Sequence, residues 1–357
     1  MGRAAKTSLV TSGATPAQAR GRTLLNILAV TALGTAGAGA GLVAQRRAMR
    51  RLQLRPDPFA GEPFGSLRGR PVPVRADDGT RLYAEVDGAD RTDLAVVFSH
   101  GWTLTQDSWH FQRKALRGLG GSSSGTTAAT AAPTAAPATA TPSPRLARDL
   151  AAVIDATVPA DTPIVLVGHS MGGMTILRYA DENPGLVGRR ILATGLLCTS
   201  SGGLGEVTLG MPALIARTTH RLLPRALGAL GAGSGAVERV RHLGRDAATL
   251  VEDLVAFGPD ASPAAVAFAE QMMTETRLDA FADFFRSMIT TEPISDCASL
   301  RGADSLVIGA EHDRLTPVEH SLKIASCVPS ARLEVVPGAA TWPCSNAPAP
   351  SPTTSAT

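Results

Sequence analysis

The chain has 357 residues, of which 44% are hydrophobic and 18% are charged. This length allows two average domains, or one large α/β domain with an insertion, and the composition excludes a chain that is disordered throughout. The net charge of +3 hides an asymmetry, because residues 1–55 hold nine Lys or Arg and no Asp or Glu, whereas the rest of the chain is net acidic. An acidic body argues against nucleic-acid binding as the main activity. The four cysteines are far apart in sequence and predict neither a metal site nor a disulfide framework.

The basic N-terminal segment, residues 1–55, contains an uncharged run over residues 24–44. A helix that crosses the hydrocarbon core needs about 20 such residues, so we favour a single-pass membrane anchor. The arginines that follow the run would hold the downstream domain in the cytoplasm. Two alternatives remain. The stretch Ala38-Gly39-Ala40 resembles the cleavage site of a secretory signal, which would make the protein secreted, and the run is also compatible with a soluble Ala-rich helix.

Apolar runs and helical patterns alternate from Pro71 onwards. Val72 and Val74 precede the turn signal Asp77-Asp78-Gly79-Thr80, which predicts a hairpin of two strands. Short apolar runs of the kind found in strands buried on both faces occur at 94–98 and 164–167, and further strands are predicted at 191–193, 306–308 and 333–336. Helical patterns are predicted at 145–158, directly after Ser170 and after Pro317. The alternation predicts an α/β fold with a doubly wound, mostly parallel sheet.

The run at 164–167 leads straight into Gly168-His169-Ser170-Met171-Gly172, which fits the pattern G-x-S-x-G. A serine on a sharp turn between a strand and a helix holds its hydroxyl out at the carboxyl edge of the sheet. The backbone approaches itself closely in such a turn, so glycines are needed on either side. Ser170 is therefore the candidate nucleophile, and the Met171 N–H is a candidate donor to an oxyanion. The alternative is a Gly-rich turn with an incidental serine.

With this motif in place, residues 70–338 resemble the α/β-hydrolase superfamily, in particular its esterase, lipase and non-haem haloperoxidase-like branch. The resemblance implies that a His-Gly pair follows the third strand, and here that pair begins His100-Gly101-Trp102. The Trp102 N–H would then be the second oxyanion donor. The resemblance also implies no metal and no organic cofactor.

The family places its catalytic acid after a late strand, and Asp313 in the stretch Glu311-His312-Asp313 stands at that position. Its carboxylate would orient the catalytic imidazole and stabilise the charged form of that ring. The alternative is that Asp313 merely caps the helix that follows Pro317. Asp304 and Asp296 are the substitutes if Asp313 is not the acid.

The catalytic histidine of the family should follow the last strand, yet this chain has none there. The seven histidines stand at 100, 110, 169, 220, 242, 312 and 320. His320 lies within the helix after Asp313, which is too early, and His312 precedes the acid. Residues 340–346 read Ala-Thr-Trp-Pro-Cys-Ser-Asn and lead into a tail, residues 346–357, that we predict to be disordered.

A second segment also departs from the family. Residues 120–144 consist only of Gly, Ser, Thr, Ala and Pro, where the family has a strand, so we predict a disordered low-complexity insertion. A reading-frame error is the alternative that we favour. With suitable codons, a one-base shift turns residues 121–133 into Arg-Leu-Val-Val-Trp-Asp-His-Arg-Ser-His-Gly-Arg-Ser. The same shift turns residues 340–346 into Gly-His-Met-Ala-Met-Leu-Glu, which supplies the missing histidine.

The hydrolase domain is predicted over residues 56–345, with a helical cap insertion at about 199–296. One helical face of this insertion carries Leu278, Phe281, Phe285 and Met288, and an apolar cap suits a small apolar ester. The same side chains are equally compatible with packing of the cap on the core. We predict a serine hydrolase that cleaves carboxylic esters through an acyl-enzyme and that is nearly inactive as written, because it lacks the base. The alternative is a non-catalytic, membrane-anchored binding protein on the same fold.

Overall fold

The computed structural model describes residues 47, 50–88, 93–118, 127–128, 130–131, 142–207, 256–257, 261–274 and 297–341. The chain divides into two compact units, Met1–Arg51 and Leu52–Thr357. Almost all described residues belong to the second unit, whose architecture follows. The candidate membrane helix at 24–44 lies outside the described residues, and among the helices that are described none is long and apolar enough to cross a membrane.

A parallel sheet forms the centre of the second unit. Its strands are β3 (Ala95–Ser99), β4 (Thr127–Ala128), β6 (Ile164–His169), β7 (Ile191–Leu197), β8 (Asp304–Ala310) and β9 (Ala331–Val336). They lie side by side in the order β4-β3-β6-β7-β8-β9, and every neighbouring pair is parallel. All their carboxyl ends therefore meet at one edge of the sheet, which is where ligands bind in open α/β sheets.

Helices cover both faces of this sheet. The described helices are α1 (His110–Gly118), α2 (Pro142–Thr157), α3 (Met171–Glu182), α4 (Pro263–Thr274) and α5 (Val318–Cys327), of which α4 packs in a separate cluster with Leu52 and Leu104. Val97 and Leu166 share one apolar cluster with buried side chains of α2, α3 and α5, whereas Phe98 packs with Trp109 and with Leu116 of α1. Because successive side chains of a strand point to opposite faces, these two clusters are the two sides of a doubly wound sheet. The predicted α/β architecture is confirmed.

The predicted hairpin is present as well. β1 (Arg70–Arg75) and β2 (Arg81–Val86) pair antiparallel, and the Thr80 N–H donates to the Asp78 carboxylate within their turn. Arg113 of α1 fixes the hairpin to the helix. Its guanidinium donates to Glu85 at 2.6 Å and to Asp87 at 2.7 Å, and all three side chains are buried.

Two of the predicted segments are described in part. Within 120–144 the described parts are β4, which pairs with β3, β5 (Thr130–Ala131), which pairs with β2, and the start of α2. A two-residue strand at the end of the sheet replaces the longer strand that the family resemblance implies. Of the predicted cap at 199–296, the structure describes 199–207, 256–257 and 261–274. The predicted disordered tail at 346–357 lies outside the described residues.

Candidate active site

Ser170 is the single residue between the end of β6 and the start of α3. Its backbone has φ 50° and ψ −117°, a conformation that non-glycine residues adopt only where the surroundings enforce it. Two close approaches explain the flanking glycines. A Cβ on Gly172 would lie 2.0 Å from the Ser99 carbonyl oxygen, and one on Gly168 would lie 2.6 Å from the Gly172 backbone. The sequence pattern around Ser170 is therefore a steric requirement of this turn.

Residues at the end of β7 hold the turn in place. The Ser170 N–H donates to the Leu197 carbonyl at 2.9 Å, and the Thr199 hydroxyl donates to the Ser170 carbonyl at 2.6 Å. Thr199 is fully buried, whereas Ser170 itself is half-buried. The strained conformation is thus fixed from the neighbouring strand, with the serine at the carboxyl edge of the sheet.

The two candidate oxyanion donors, the backbone N–H groups of Met171 and Trp102, belong to the segments that follow β6 and β3. Met171 is the first residue of α3, where backbone N–H groups have no acceptor within the helix and carry the positive end of its dipole. Trp102 lies in the turn after β3, which the Leu104 N–H closes by donating to the Gly101 carbonyl at 3.2 Å. Because β3 and β6 are paired neighbours, with Ser99 opposite Gly168, both donors are carried to the same edge as Ser170.

Asp313 lies just beyond the end of β8 and is buried. Its Oδ1 accepts the backbone N–H groups of Leu315 and Thr316, each at 2.8 Å, and its Oδ2 accepts the Thr316 hydroxyl at 2.7 Å. Burial raises the pKa of Asp313, although these hydrogen bonds act in the opposite direction. Asp304 is exposed at the first residue of β8, on the opposite edge of the sheet, and Asp296 lies outside the described residues.

Thr341 connects Asp313 to the serine turn. Its hydroxyl donates to Asp313 Oδ1 at 2.5 Å, and its carbonyl accepts from His169 Nε2 at 2.6 Å. Thr341 is therefore held by the candidate acid and by the residue directly before Ser170. It is also the second residue of 340–346, where the alternative reading frame encodes histidine. The sequence indicated this position only through the other frame, because a threonine carries no catalytic signature of its own.

The described histidines have other contacts. His320 Nδ1 lies 2.8 Å from the Ser200 hydroxyl, and His110 Nε2 lies 2.8 Å from Glu62. The backbone N–H of His312 donates to the Ala339 carbonyl, and its side chain is exposed. That neither His312 nor His320 is the catalytic base stays a prediction. In the part of the chain that the structure describes, no group of three or more His, Cys, Asp or Glu residues is arranged to hold a metal ion.

Comparisons with known proteins agree with this geometry. A family model described as the alpha/beta hydrolase fold matches residues 95–348, which is well over half of the chain. A non-heme chloroperoxidase from Streptomyces lividans is 31% identical over 124 residues, which are 34% of this chain and 44% of that protein. The chain thus matches less than half the length of that relative.

Solved structures show the same fold over a longer stretch. A bromoperoxidase from Bacillus anthracis has a TM-score of 0.57 at 16% identity, and the match covers 76% of this chain and 93% of that one. An esterase from Exiguobacterium antarcticum has a TM-score of 0.56 at 18% identity, with 76% and 92% covered. At such identities the likeness establishes the fold alone.

Proposed function

The chain belongs to the α/β-hydrolase family, and from this premise we propose that it is a serine hydrolase built to cleave carboxylic esters through an acyl-enzyme. The observation that supports this most directly is the chain of contacts through Thr341. It links the turn that carries Ser170 to the buried carboxylate of Asp313, across elements far apart in sequence.

In the proposed reaction the Ser170 hydroxyl attacks the ester carbonyl, and a base takes its proton. The N–H groups of Trp102 and Met171 hold the oxyanion that forms, and the alcohol leaves with the proton. Water then releases the acid by the reverse steps. Asp313 would orient the base and stabilise its charged form.

The sequence as written supplies no base at the position that this reaction needs. A threonine hydroxyl does not accept a proton from serine at neutral pH. Thr341 therefore makes the hydrogen bond to Asp313 but cannot act as the base. Removal of one member of such a triad leaves a residual rate of about 10³ to 10⁴ over water, which the oxyanion site and substrate binding supply. We therefore expect the unaltered chain to be nearly inactive.

The variant Thr341→His tests the proposal. We expect it to hydrolyse a short-chain chromogenic ester at least about 100-fold faster than the unaltered chain, because an imidazole at this position would supply, beside Asp313, the base that the unaltered chain lacks. The matched control is Thr341→Ser, which retains the hydroxyl and should gain nothing. Adding Ser170→Ala to Thr341→His should abolish the gain. If neither Thr341→His nor the frame-restored chain shows turnover that depends on Ser170, the proposal is wrong.

Apolar residues beside the oxyanion turn support a small apolar ester or acyl group as the substrate. Leu104 shares a buried cluster with Val266, Ala269 and Met272 of α4, and the Thr105 hydroxyl donates to the Met272 sulfur at 3.3 Å. This part of the predicted cap therefore packs apolar side chains against the residues that follow Trp102. An acyl chain suits such an apolar neighbourhood better than a charged substrate does.

The membrane anchor is part of the proposal. The uncharged run at 24–44 supports a single-pass protein, and the five arginines within residues 46–55 support a hydrolase domain that faces the cytoplasm, although Arg20 and Arg22 on the other side oppose this orientation. We expect the full-length protein to sediment with membranes and a variant lacking residues 1–45 to stay in the supernatant. A secreted protein cleaved near Ala38-Gly39-Ala40 would instead appear in the medium with a shortened N-terminus. Full-length protein in the soluble fraction would contradict both.

A second function, a non-catalytic binding protein on the same fold, is favoured by one observation. The Thr341 hydroxyl satisfies the buried Asp313 carboxylate in the position that a base would need. The same variants separate the two functions. A binding protein would retain affinity for esters or acids in the unaltered chain and would gain no turnover from Thr341→His.

A further inference from the structure

His169 is a buried residue of the serine turn that the proposed reaction does not use. It ends β6, directly before Ser170. Its Nε2 lies 2.6 Å from the carbonyl oxygen of Thr341, a residue 172 positions further along the chain. Since a carbonyl oxygen only accepts hydrogen bonds, Nε2 carries a proton and donates it to this bond.

The other ring nitrogen of His169 faces the oxyanion turn. A Cβ on Gly101 would lie 2.9 Å from His169 Nδ1, so the imidazole packs directly against the backbone of the residue that precedes Trp102. The position of this ring therefore limits how closely the turn of Trp102 approaches Ser170. One side chain thus contacts both of the loops that must come together around the serine.

The environment keeps this imidazole neutral. Burial lowers the pKa of His169 from its usual 6.5 to about 4, and the neighbouring His100 acts in the same direction, while the bond to Thr341 opposes both. At neutral pH the ring has one proton, and the Thr341 carbonyl fixes that proton on Nε2. His169 is then a donor to the backbone at 341, and its Nδ1 is only a weak base because the pKa is low.

We propose that His169 is a positioning residue, which sets the spacing between the nucleophile at 170, the oxyanion turn at 101–102 and the base position at 341. The proposal rests on the function proposed above in so far as position 341 carries the base. The bond from His169 reaches the backbone of residue 341, so it persists when the side chain there is replaced. If a histidine replaced Thr341, the hydrogen bond from His169 would already fix the position of its backbone relative to Ser170.

The first test uses the unaltered chain and needs no activity. The pKa of Asp313 is measured by carbon NMR with labelled aspartate. His169→Leu removes the donor at similar volume, and we expect the released Thr341 to donate less well and the pKa of Asp313 to rise. His169→Gln places an amide N–H close to the position of Nε2 and should leave that pKa near its original value.

Gly101→Ala disturbs His169 through the contact between Gly101 and His169 Nδ1. It provides a second test if His169→Leu does not fold. The added methyl group would push the imidazole away from Gly101, and the pKa of Asp313 should rise again. If both folded variants leave the pKa of Asp313 unchanged, His169 does not position residue 341 and the proposal is overturned.

The second test measures kinetics in the Thr341→His background. We expect His169→Leu to lower kcat by about 10- to 100-fold with little change in KM, which is the cost of displacing a reacting group by about an ångström. The acid limb of the pH profile should move to lower pH, because an imidazole that lies less well against Asp313 loses its partner. His169→Gln should restore kcat to within about fivefold.

A control separates positioning from loss of stability. Ile176→Val changes a fully buried side chain of α3, and should lower the melting temperature without moving the acid limb. If His169→Leu behaves like Ile176→Val, its role is structural only. If Thr341→His shows no turnover that depends on Ser170, the proposed function fails, and the Asp313 measurement still decides whether His169 positions residue 341.

Discussion

At the scale of single residues, Asp313 is a buried carboxylate whose hydrogen-bond donors in the structure are neutral groups. Two N–H groups and two hydroxyls donate to it, yet burial still raises its pKa. The folded state therefore binds a proton at Asp313 more tightly than the unfolded state does. The stability that this linkage contributes is complete below the unfolded pKa and is lost as the pH rises through the folded pKa. Keeping Asp313 ionised in the folded state therefore costs folding free energy.

Asp313→Asn should consequently stabilise the unaltered chain at pH 7. The amide oxygen can accept the three hydrogen bonds that Oδ1 accepts, from the Leu315 and Thr316 N–H groups and the Thr341 hydroxyl. The amide N–H can donate to the Thr316 hydroxyl. We expect the free energy of unfolding to rise by about 1 kcal/mol and its decline from acid to neutral pH to become flatter. Urea unfolding at several pH values measures both. Asp304→Asn, at the exposed start of β8, is the matched control and should change neither. A destabilised Asp313→Asn variant at pH 7 would contradict this account.

The sequence predicted some of these residues and not others for a physical reason. Ser170 stands in a turn whose glycines are dictated by backbone contacts, so its pattern is local and visible in five residues. Asp313 follows an apolar run that indicates a strand, and it was placed by that run and by the resemblance. The contacts of Thr341 and His169 join residues far apart in sequence, and nothing in the neighbouring residues signals them.

At the scale of elements, the buried ion network of Arg113 joins α1 to the hairpin. Arg113 is 1% exposed, and its partners Glu85 and Asp87 are buried with it. Burial acts to lower the pKa of Arg113, but the hydrogen bonds that its guanidinium donates to Asp87 and Glu85 raise that pKa. Asp87 also accepts from Arg117, so two carboxylates and two guanidinium groups compensate one another at the end of β2.

Removal of one member leaves uncompensated charges in this network. Arg113→Met should lower the free energy of unfolding by about 3 to 5 kcal/mol, as breaking a buried ion pair usually does. The matched control is Arg332→Met, because Arg332 pairs with Glu334 on an exposed stretch of β9, where the loss should stay below about 1 kcal/mol. Chemical denaturation of both variants gives the comparison. Equal effects would show that the Arg113 network contributes little beyond a surface pair.

Elements with strong periodicity or strong turn signals were predictable, and those defined by tertiary contacts were not. The apolar runs at 164–167 and 306–308 became β6 and β8, and the Asp-Gly turn became the hairpin, because burial on both faces and turn geometry leave direct patterns. β4 and β5 have two residues each and lie in a stretch of Ala and Thr that carries no strand pattern. Their pairing depends on the edges that β3 and β2 offer.

At the scale of the whole molecule, residues just after the basic segment belong to the packed unit. Asp57 accepts the backbone N–H of Ala264 at 3.1 Å at the start of α4, and Phe64 stacks on Phe268 with ring centroids 4.8 Å apart. The sequence placed the start of the domain at residue 56, which stays a prediction. In the structure Leu52, within the basic segment, packs with the described part of the predicted cap.

Two segments, residues 120–144 and 340–346, depart from the pattern of the family. The segment at 120–144 supplies a two-residue strand beside β3, and residue 341 supplies a threonine where the proposed reaction needs a base. A one-base shift in each segment would replace the first with an apolar run ending in a polar loop and the second with a histidine at 341. The gene should therefore show codons that encode a strand and a histidine in the other frame, and codons that do not would refute the idea.

Restoring the reading frame in one segment or in both should separate the effect on ester hydrolysis from the effect on stability. A chain restored only from residue 340 onwards gains the base at 341 and should hydrolyse esters, while its short β4 stays unchanged. A chain restored in both segments also gains a full strand beside β3. It should unfold at higher urea concentration and with a larger m-value, since the m-value grows with the surface that unfolding exposes. Equal m-values for the two chains would show that the restored residues 121–133 add no buried strand beyond the short β4 that already pairs with β3.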